Sequence, residues 1–212
     1  TSDAPAIFPL GNTTVTWTVT DGSGNIATCT QTVTVTDDEL PEITCPATVS
    51  VSADADLCTA SGVDLGTPVT DDNCSVASVT SDAPAIFPLG NTTVTWTVTD
   101  GAGLTATCNQ TVTVNDTQLP TISCPSTVTV SADAGLCTAS GVALGTPTTS
   151  DNCSVATVIN NAPAIFPLGN TTVTWTVTDG SGNIATCMQT VTVNDTENPT
   201  IACPPDVSVN AD

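Results

Sequence analysis

The sequence predicts an all-β chain of tandem two-sheet sandwiches, and three observations predict it: a 79-residue repeat, a period-two alternation of Val and Thr, and ten regularly placed cysteines. The cysteines fall at 29, 45, 58, 74, 108, 124, 137, 153, 187 and 203, and each recurs 79 residues later wherever the chain reaches that far. Trp17, Trp96 and Trp175 keep the same spacing. The stretch "TWTVTDGSGNIATC" at 16–29 returns as "TWTVTDGAGLTATC" at 95–108 and unchanged at 174–187. Identity over such long runs marks an array of one structural unit. The expected divisions are the rear part of a unit at 1–38, full units at 39–117 and 118–196, and the first strand of a following unit at 197–212.

Within a unit the elements follow in order. A first strand is expected at "CPATVSV" (45–51), with its counterpart inside "STVTVSAD" (126–133). In "TTVTWTVTD" (92–100), Val94, Trp96 and Val98 point one way and the intervening threonines the other, as in a strand with one buried and one wet face. The turn residues "DGAGL" follow, and "QTVTVND" (110–116) repeats the alternation as the last strand. β-Branched Val and Thr suit a pleated surface, and no segment has helical periodicity. Short strands punctuated by Gly, Pro, Asn and Asp at roughly 8–12-residue intervals give about seven strands per unit, an immunoglobulin-like β-sandwich.

Composition narrows the function. The chain has 21 acidic residues and no Lys, Arg, His or Tyr, so side chains for phosphate binding and most acid–base catalysis are missing. Nucleic acid is excluded as a partner on this ground, and an enzyme is not expected. Paired carboxylates can hydrolyse glycosides, but no acidic residue differs from its copies in the other repeats in a way that would mark a general acid. At 39% hydrophobic residues the chain is too apolar for disorder. With only three Phe and three Trp, small Val-rich cores need covalent support, which the cysteines can supply.

The combination "TISCP…SADAGLC…TSDNC…FPLGNTTVTWTVTDGSGNIATC" resembles the hyalin repeat, or HYR domain, in the four-cysteine form of surface and secreted proteins of Bacteroidetes-type bacteria. The resemblance covers the whole chain and implies an immunoglobulin-like fold, a role in cell adhesion or extracellular architecture, and no catalytic site.

Cysteine pairing follows from the strands. Aligning "CPATVSV" with "CNQTVTV" (108–114) sets Val49 beside Val112 and Val51 beside Val114, as if the first and last strands ran parallel, and places Cys45 opposite Cys108. The remaining pair is then Cys58 with Cys74, and the next unit gives Cys124 with Cys187 and Cys137 with Cys153. Four cysteines allow three pairings. The longer loop would contribute roughly 4 kcal/mol and the shorter roughly 3 kcal/mol. Cys29 and Cys203 are expected to pair outside this segment, the chain being a window on a longer array. Disulfides imply an extracellular, secreted or cell-surface setting. Zinc is disfavoured by the absence of His and of any C-x-x-C pair.

Acidic residues gather in the linkers and loops expected at one pole of each sandwich. A calcium ion could be held by Asp37, Asp38, Asp72 and Asp100 at one junction and by Asp116, Asp151 and Asp179 at the next. The competing reading is that these residues make local backbone hydrogen bonds in turns. Asn25 and Asn183 become Leu104 in the middle copy, so that turn position is not an obligatory ligand.

The expected function is a structural repeat of an extracellular fibre or adhesin stalk, giving reach, stiffness and resistance to proteases that need a basic side chain. Its partners would be neighbouring copies of the repeat and a surface or glycan ligand, without membrane insertion. The alternative is a glycan-binding or spacer module of a secreted enzyme, which an exposed Trp96 would favour.

Overall fold

Long Thr/Val alternations with tight Gly turns leave the backbone one way to pair, and every regular element of the computed structural model, which describes residues 1–210, is a strand. β1 (Gly11–Thr20) and β2 (Ile26–Val35) form an antiparallel hairpin. The next repeat contributes β3 (Glu42–Thr44), β4 (Val49–Ser52), β5 (Thr59–Ser61), β6 (Val69–Asp71), β7 (Val76–Ser81), β8 (Ile86–Pro88), β9 (Gly90–Asp100) and β10 (Thr105–Asn115). The same series returns 79 residues later as β11 (Thr121–Ser123), β12 (Val128–Ser131), β13 (Thr138–Ser140), β14 (Thr148–Ser150), β15 (Val155–Asn160), β16 (Ile165–Pro167), β17 (Gly169–Asp179) and β18 (Ile184–Asn194). Each full repeat thus has eight strands where about seven were expected. Four of the eight are three-residue strands, too short for an alternation to register.

The chain divides into two compact units, Thr1–Val51 with Thr59–Val114, and Ser52–Cys58 with the chain from Asn115 onward. In the first, one sheet has the order β4-β10-β9-β7, accompanied by the ribbons β3-β6 and β5-β8. In the second, the sheet is β12-β18-β17-β15 and the ribbons are β11-β14 and β13-β16. The short β11 precedes the strand expected to come first. β12 and β18, the second and last strands of this repeat, run parallel, with Val128 opposite Val191 and Val130 opposite Val193. That is the pairing the aligned cysteine phrases predict, one repeat further on.

The inward face of each long strand builds the core. Val94, Val98 and Val112 are fully buried in the first unit, and Ala60 and Phe87 of the β5-β8 ribbon are buried as well. In the second, Ala139, Phe166, Val173, Trp175, Val191 and Val193 form one cluster, against which Ile122 and Leu144 pack. Each buried Val or Phe contributes about 1.5–3 kcal/mol relative to an exposed one.

A polar residue missed in the sequence sits at the centre of each core. Gln110 and Gln189 are buried, and each accepts a 3.0 Å bond from the indole Nε1 of Trp96 or Trp175. Gln110 Nε2 donates to the carbonyls of Ala47 and Leu65 (2.7 and 2.9 Å), and Gln189 Nε2 to those of Ser126 and Leu144 (both 2.8 Å). The side-chain amide of each Gln and the indole N–H of its Trp are thereby satisfied. The signal was available: Gln110 alternates in phase with Val112 and Val114, on the buried side of "QTVTV".

The tryptophans, expected inside, differ in exposure. Trp175 is buried and Trp96 half-buried, whereas Trp17 is 47% exposed although it keeps the same bond to Gln31. Among the described residues β1 pairs only with β2 and Ser2, so the ribbons that cover Trp96 and Trp175 have no counterpart over Trp17.

Candidate functional site

One pole of the first unit is built from three loops, each pinned by its own carboxylate. At the end of β9, Asp100 Oδ1 accepts the backbone N–H groups of Ala102 (2.9 Å) and Leu104 (2.7 Å). Gly103 closes this turn at φ +92°, a region that disfavours any Cβ. Gly101 lies so close to the β6–β7 loop that a Cβ would stand 2.7 Å from Ser75 Oγ. In that loop Asp72 Oδ2 accepts from the backbone N–H of Cys74 (3.0 Å) and Ser75 (2.7 Å). In the linker, Asp37 Oδ1 accepts from Glu39 N (3.3 Å).

Each carboxylate therefore spends one oxygen on its own turn. The other oxygens, Asp37 Oδ2, Asp72 Oδ1 and Asp100 Oδ2, are buried and have no hydrogen-bond partner. Asp37, Asp72 and Asp100 each offer an oxygen within 4.8 Å of the others, and Asp100 is only 2% exposed. Two like charges about 4 Å apart near a protein surface repel by roughly 4 kcal/mol. Three convergent hard oxygens of this kind suit a divalent cation of the calcium type. Asp38 is exposed and stands outside the cluster. The field of this pole reaches the neighbouring Cys74: desolvation first, then the adjacent Asp37 carboxylate and the charges of Asp72 and Asp100, push its thiol pKa up.

In the second unit, Asp116, Asp151 and Cys153 come together in the equivalent place, but Asp179 is not among them. Asn183, where the first unit has Leu104, donates its side-chain amide to Asp179 Oδ2 (2.8 Å) and to the Asp116 carbonyl (3.2 Å). Ser181 Oγ lies 3.4 Å from Asp116 Oδ2, and Asn152 Nδ2 is 3.4 Å from Asp116 Oδ1. Burial pushes the Asp179 carboxyl up, but the Asn183 side chain and the backbone N–H groups of Asn183, Ser181 and Gly182 outweigh it and hold the pKa below its ordinary value. Among the described residues, only Asp151 Oδ1 and Asn152 Oδ1 remain buried without a partner here.

The structure joins Cys45 to Cys108 and Cys124 to Cys187, each with Cα atoms 5.7 Å apart. The other two expected pairings require correction. Instead of Cys58–Cys74 and Cys137–Cys153, Cys58 is bonded to Cys153, with Cα atoms 4.8 Å apart. The reason is the course of segment Ser52–Cys58, which belongs to the second compact unit. Ala53 N donates to the Asn115 carbonyl (2.8 Å), Asp56 N to Gln118 Oε1 (3.0 Å), and Asn152 Nδ2 to the Leu57 carbonyl (2.8 Å). These bonds bring Cys58 to Cys153. Cys29, Cys74, Cys137 and Cys203 are exposed free thiols among the described residues.

The model of the HYR domain matches this chain three times, at residues 1–35, 36–114 and 115–193. The chain belongs to the HYR domain family. Hyalin of Lytechinus variegatus is 38% identical over 95% of the chain, and hyalin of Strongylocentrotus purpuratus 36% identical over 88%. The chain spans 40% and 16% of those relatives. Among solved structures, Drosophila N-cadherin EC1-4 aligns over 89% of the chain and 59% of its own at 11% identity, with a TM-score of 0.40. In family terms, Cys58 lies in the second HYR repeat and Cys153 in the third, so this disulfide links successive repeats. Three disulfides in a small Val-rich chain belong to an oxidising, extracellular compartment. Among the described residues no helix is long and apolar enough to cross a membrane.

Proposed function

We propose that this HYR array is a structural, non-catalytic segment of an extracellular fibre or adhesin stalk, supplying mechanical reach and resistance. The observation that carries the reading is the disulfide between successive repeats, which would transmit tension past the backbone linker. The four-cysteine arrangement of the bacterial surface form belongs to the same proposal. A glycan-binding spacer is the weaker alternative, since a buried Trp175 and a half-buried Trp96 offer no stacking platform. Single-molecule pulling tests the proposal. In oxidised material, residues between bonded cysteines should not extend, and reduction should lengthen every unfolding step. Low-force extension independent of redox state, combined with retention on immobilised glycans, would favour the spacer.

The acidic pole of the first unit is proposed to hold calcium through Asp37, Asp72 and Asp100. Support comes from the three unpartnered, buried oxygens that converge there. Asp116 and Asp151 form the second, partly self-satisfied site. Equilibrium dialysis should find tighter calcium binding at the first pole, removed by Asp100→Asn.

A further inference from the structure

The bond between Cys58 and Cys153 has a sequence register that the chain contains twice more, each time half complete. At the 79-residue period Cys137 is the counterpart of Cys58, and Cys74 that of Cys153. Both are exposed and unbonded, whereas the bonded pair is half-buried. Their settings are the same phrases: "LCTASGV" surrounds Cys58 and Cys137, and "DNCSVA" surrounds Cys74 and Cys153.

The arm that carries Cys137 is already folded as its counterpart is. Ala132 N donates to the Asn194 carbonyl at 2.8 Å, as Ala53 N does to that of Asn115. Gly135 N donates to Glu197 Oε2 at 2.8 Å, where Asp56 N meets Gln118 Oε1. The receiving side is formed independently in the first unit. There Asn73, counterpart of Asn152, turns its amide to Glu39 Oε2 (2.9 Å) instead of to an arm carbonyl. Beside it lies a cleft of 230 Å³ lined by Glu39, Leu40, Glu42, Asp71, Asp72 and Asn73. Its polar lining offers acceptors for arm N–H groups and the Asn73 amide for the arm carbonyl.

We infer that Cys58–Cys153 is one rung of a disulfide ladder, in which Cys137 bonds the "DNC" cysteine of one adjoining HYR repeat and Cys74 bonds the "LCTAS" cysteine of another. The arm of a further repeat of this kind would accordingly border the Asn73 cleft, as Asp56 borders the equivalent cleft beside Asn152. Formation of each rung needs a two-electron oxidant, and an oxidised dithiol carrier supplies it. One cysteine thiolate attacks a carrier sulfur and expels the other as a thiolate. The second cysteine thiolate then displaces the carrier, so that the pair loses two electrons and two protons and the carrier leaves as its dithiol. The inference uses the array reading only in requiring an adjoining repeat; it does not depend on calcium.

The repeats differ enough to be distinguished by mass. "ADLCTA" and "AGLCTA" separate Cys58 from Cys137, and "DDNC" and "SDNC" separate Cys74 from Cys153. Native protein is alkylated at low pH, digested without reduction by a protease that cuts at acidic residues, and mapped. Cys74 and Cys137 should each be found linked to a peptide of the opposite type, with Cys58 linked to Cys153. Non-reducing electrophoresis separates the two sources of the partner: an adjoining repeat of the same chain leaves a band of single-chain size, and a second copy gives multiples that collapse on reduction. Cys137→Ser should abolish the linkage at 137 while Cys58–Cys153 persists. A Cys58–Cys74 or Cys137–Cys153 peptide, or alkylated thiols at 74 and 137 in the native protein, would overturn the ladder. Alkylated thiols there with redox-dependent pulling intact would leave the stalk reading standing.

Discussion

The two full repeats share a core and differ at the pole. Trp96–Gln110 and Trp175–Gln189 make the same bonds to the same kinds of carbonyl, and the strands around them correspond residue for residue. At the pole, replacing Asn183 with its counterpart Leu104 removes an amide donor, and the carboxyl oxygen it would have served is left unpartnered. In the second unit an amide partly does what a cation would do. The first unit has no such amide, and its three carboxylates converge without compensation.

The shared part should break equally in both units, and it carries the largest effect. Gln110→Leu or Gln189→Leu removes three hydrogen bonds and strands an indole N–H and two carbonyls, so each should cost roughly 3–4 kcal/mol. Gln31→Leu should cost far less, because Trp17 is half exposed and water can replace the lost partner. Chemical denaturation of the three variants measures this. Unequal losses at 110 and 189 would show that the cores are not equivalent.

Calcium should separate the units next. At a hundredfold excess over its dissociation constant, a ligand of the native state adds about 2.7 kcal/mol. The expected result is an upward shift of the unfolding transition of the first unit by calcium, reversed by chelator, and a smaller shift for the second. Asp100→Asn should remove most of the first shift and, in chelator, should not destabilise, because its new amide can bond a neighbouring carboxylate as Asn183 does.

How much of this was legible in the sequence depends on whether the signal was local. The parallel pairing of Val128 with Val191 could be read because both strands begin at a cysteine and alternate in the same phase. The Asp100 and Asp179 turns were visible as "TDG" phrases. The arm was not legible, for a reason inherent in repeats. Since "DNCSV" occurs at the same place in every unit, a bond from Cys58 to its own unit and one to the next carry the same sequence signature. Only the backbone course of Ser52–Cys58 distinguishes them. Composition could not separate Asp37 from Asp38, and the structure leaves Asp38 exposed while Asp37 is half-buried in the carboxylate cluster.

A reciprocal exchange sharpens the pole comparison further. Leu104→Asn should give Asp100 Oδ2 its missing donor, stabilising the calcium-free protein by about 1 kcal/mol and reducing the calcium increment. Asn183→Leu should cost about 1–2 kcal/mol without calcium and enlarge the increment of the second unit. If both exchanges leave the calcium response unchanged, residue 104 does not set the difference.

The smallest effect is in acid. Asp179 is held below its ordinary value of 3.8, and exposed Asp21 is lowered too, first by the side chain of its own Asn25 and then by the backbone of Asn25 and Ser23. A carboxyl with a depressed folded-state pKa contributes stability that is fully present above the unfolded value and lost as the pH falls through the folded one. The Asp179 turn should therefore keep its contribution down to about pH 4 and lose it below. Asn183→Leu removes the principal bond that offsets burial, so the Asp179 pKa should rise and the loss should begin at higher pH. Carboxyl-carbon NMR titration follows the two sites separately, with Asp21 as an internal control that the substitution leaves untouched. An unchanged Asp179 midpoint in that variant would mean that the backbone N–H groups alone set its titration, and that the amide does not act there in place of a cation.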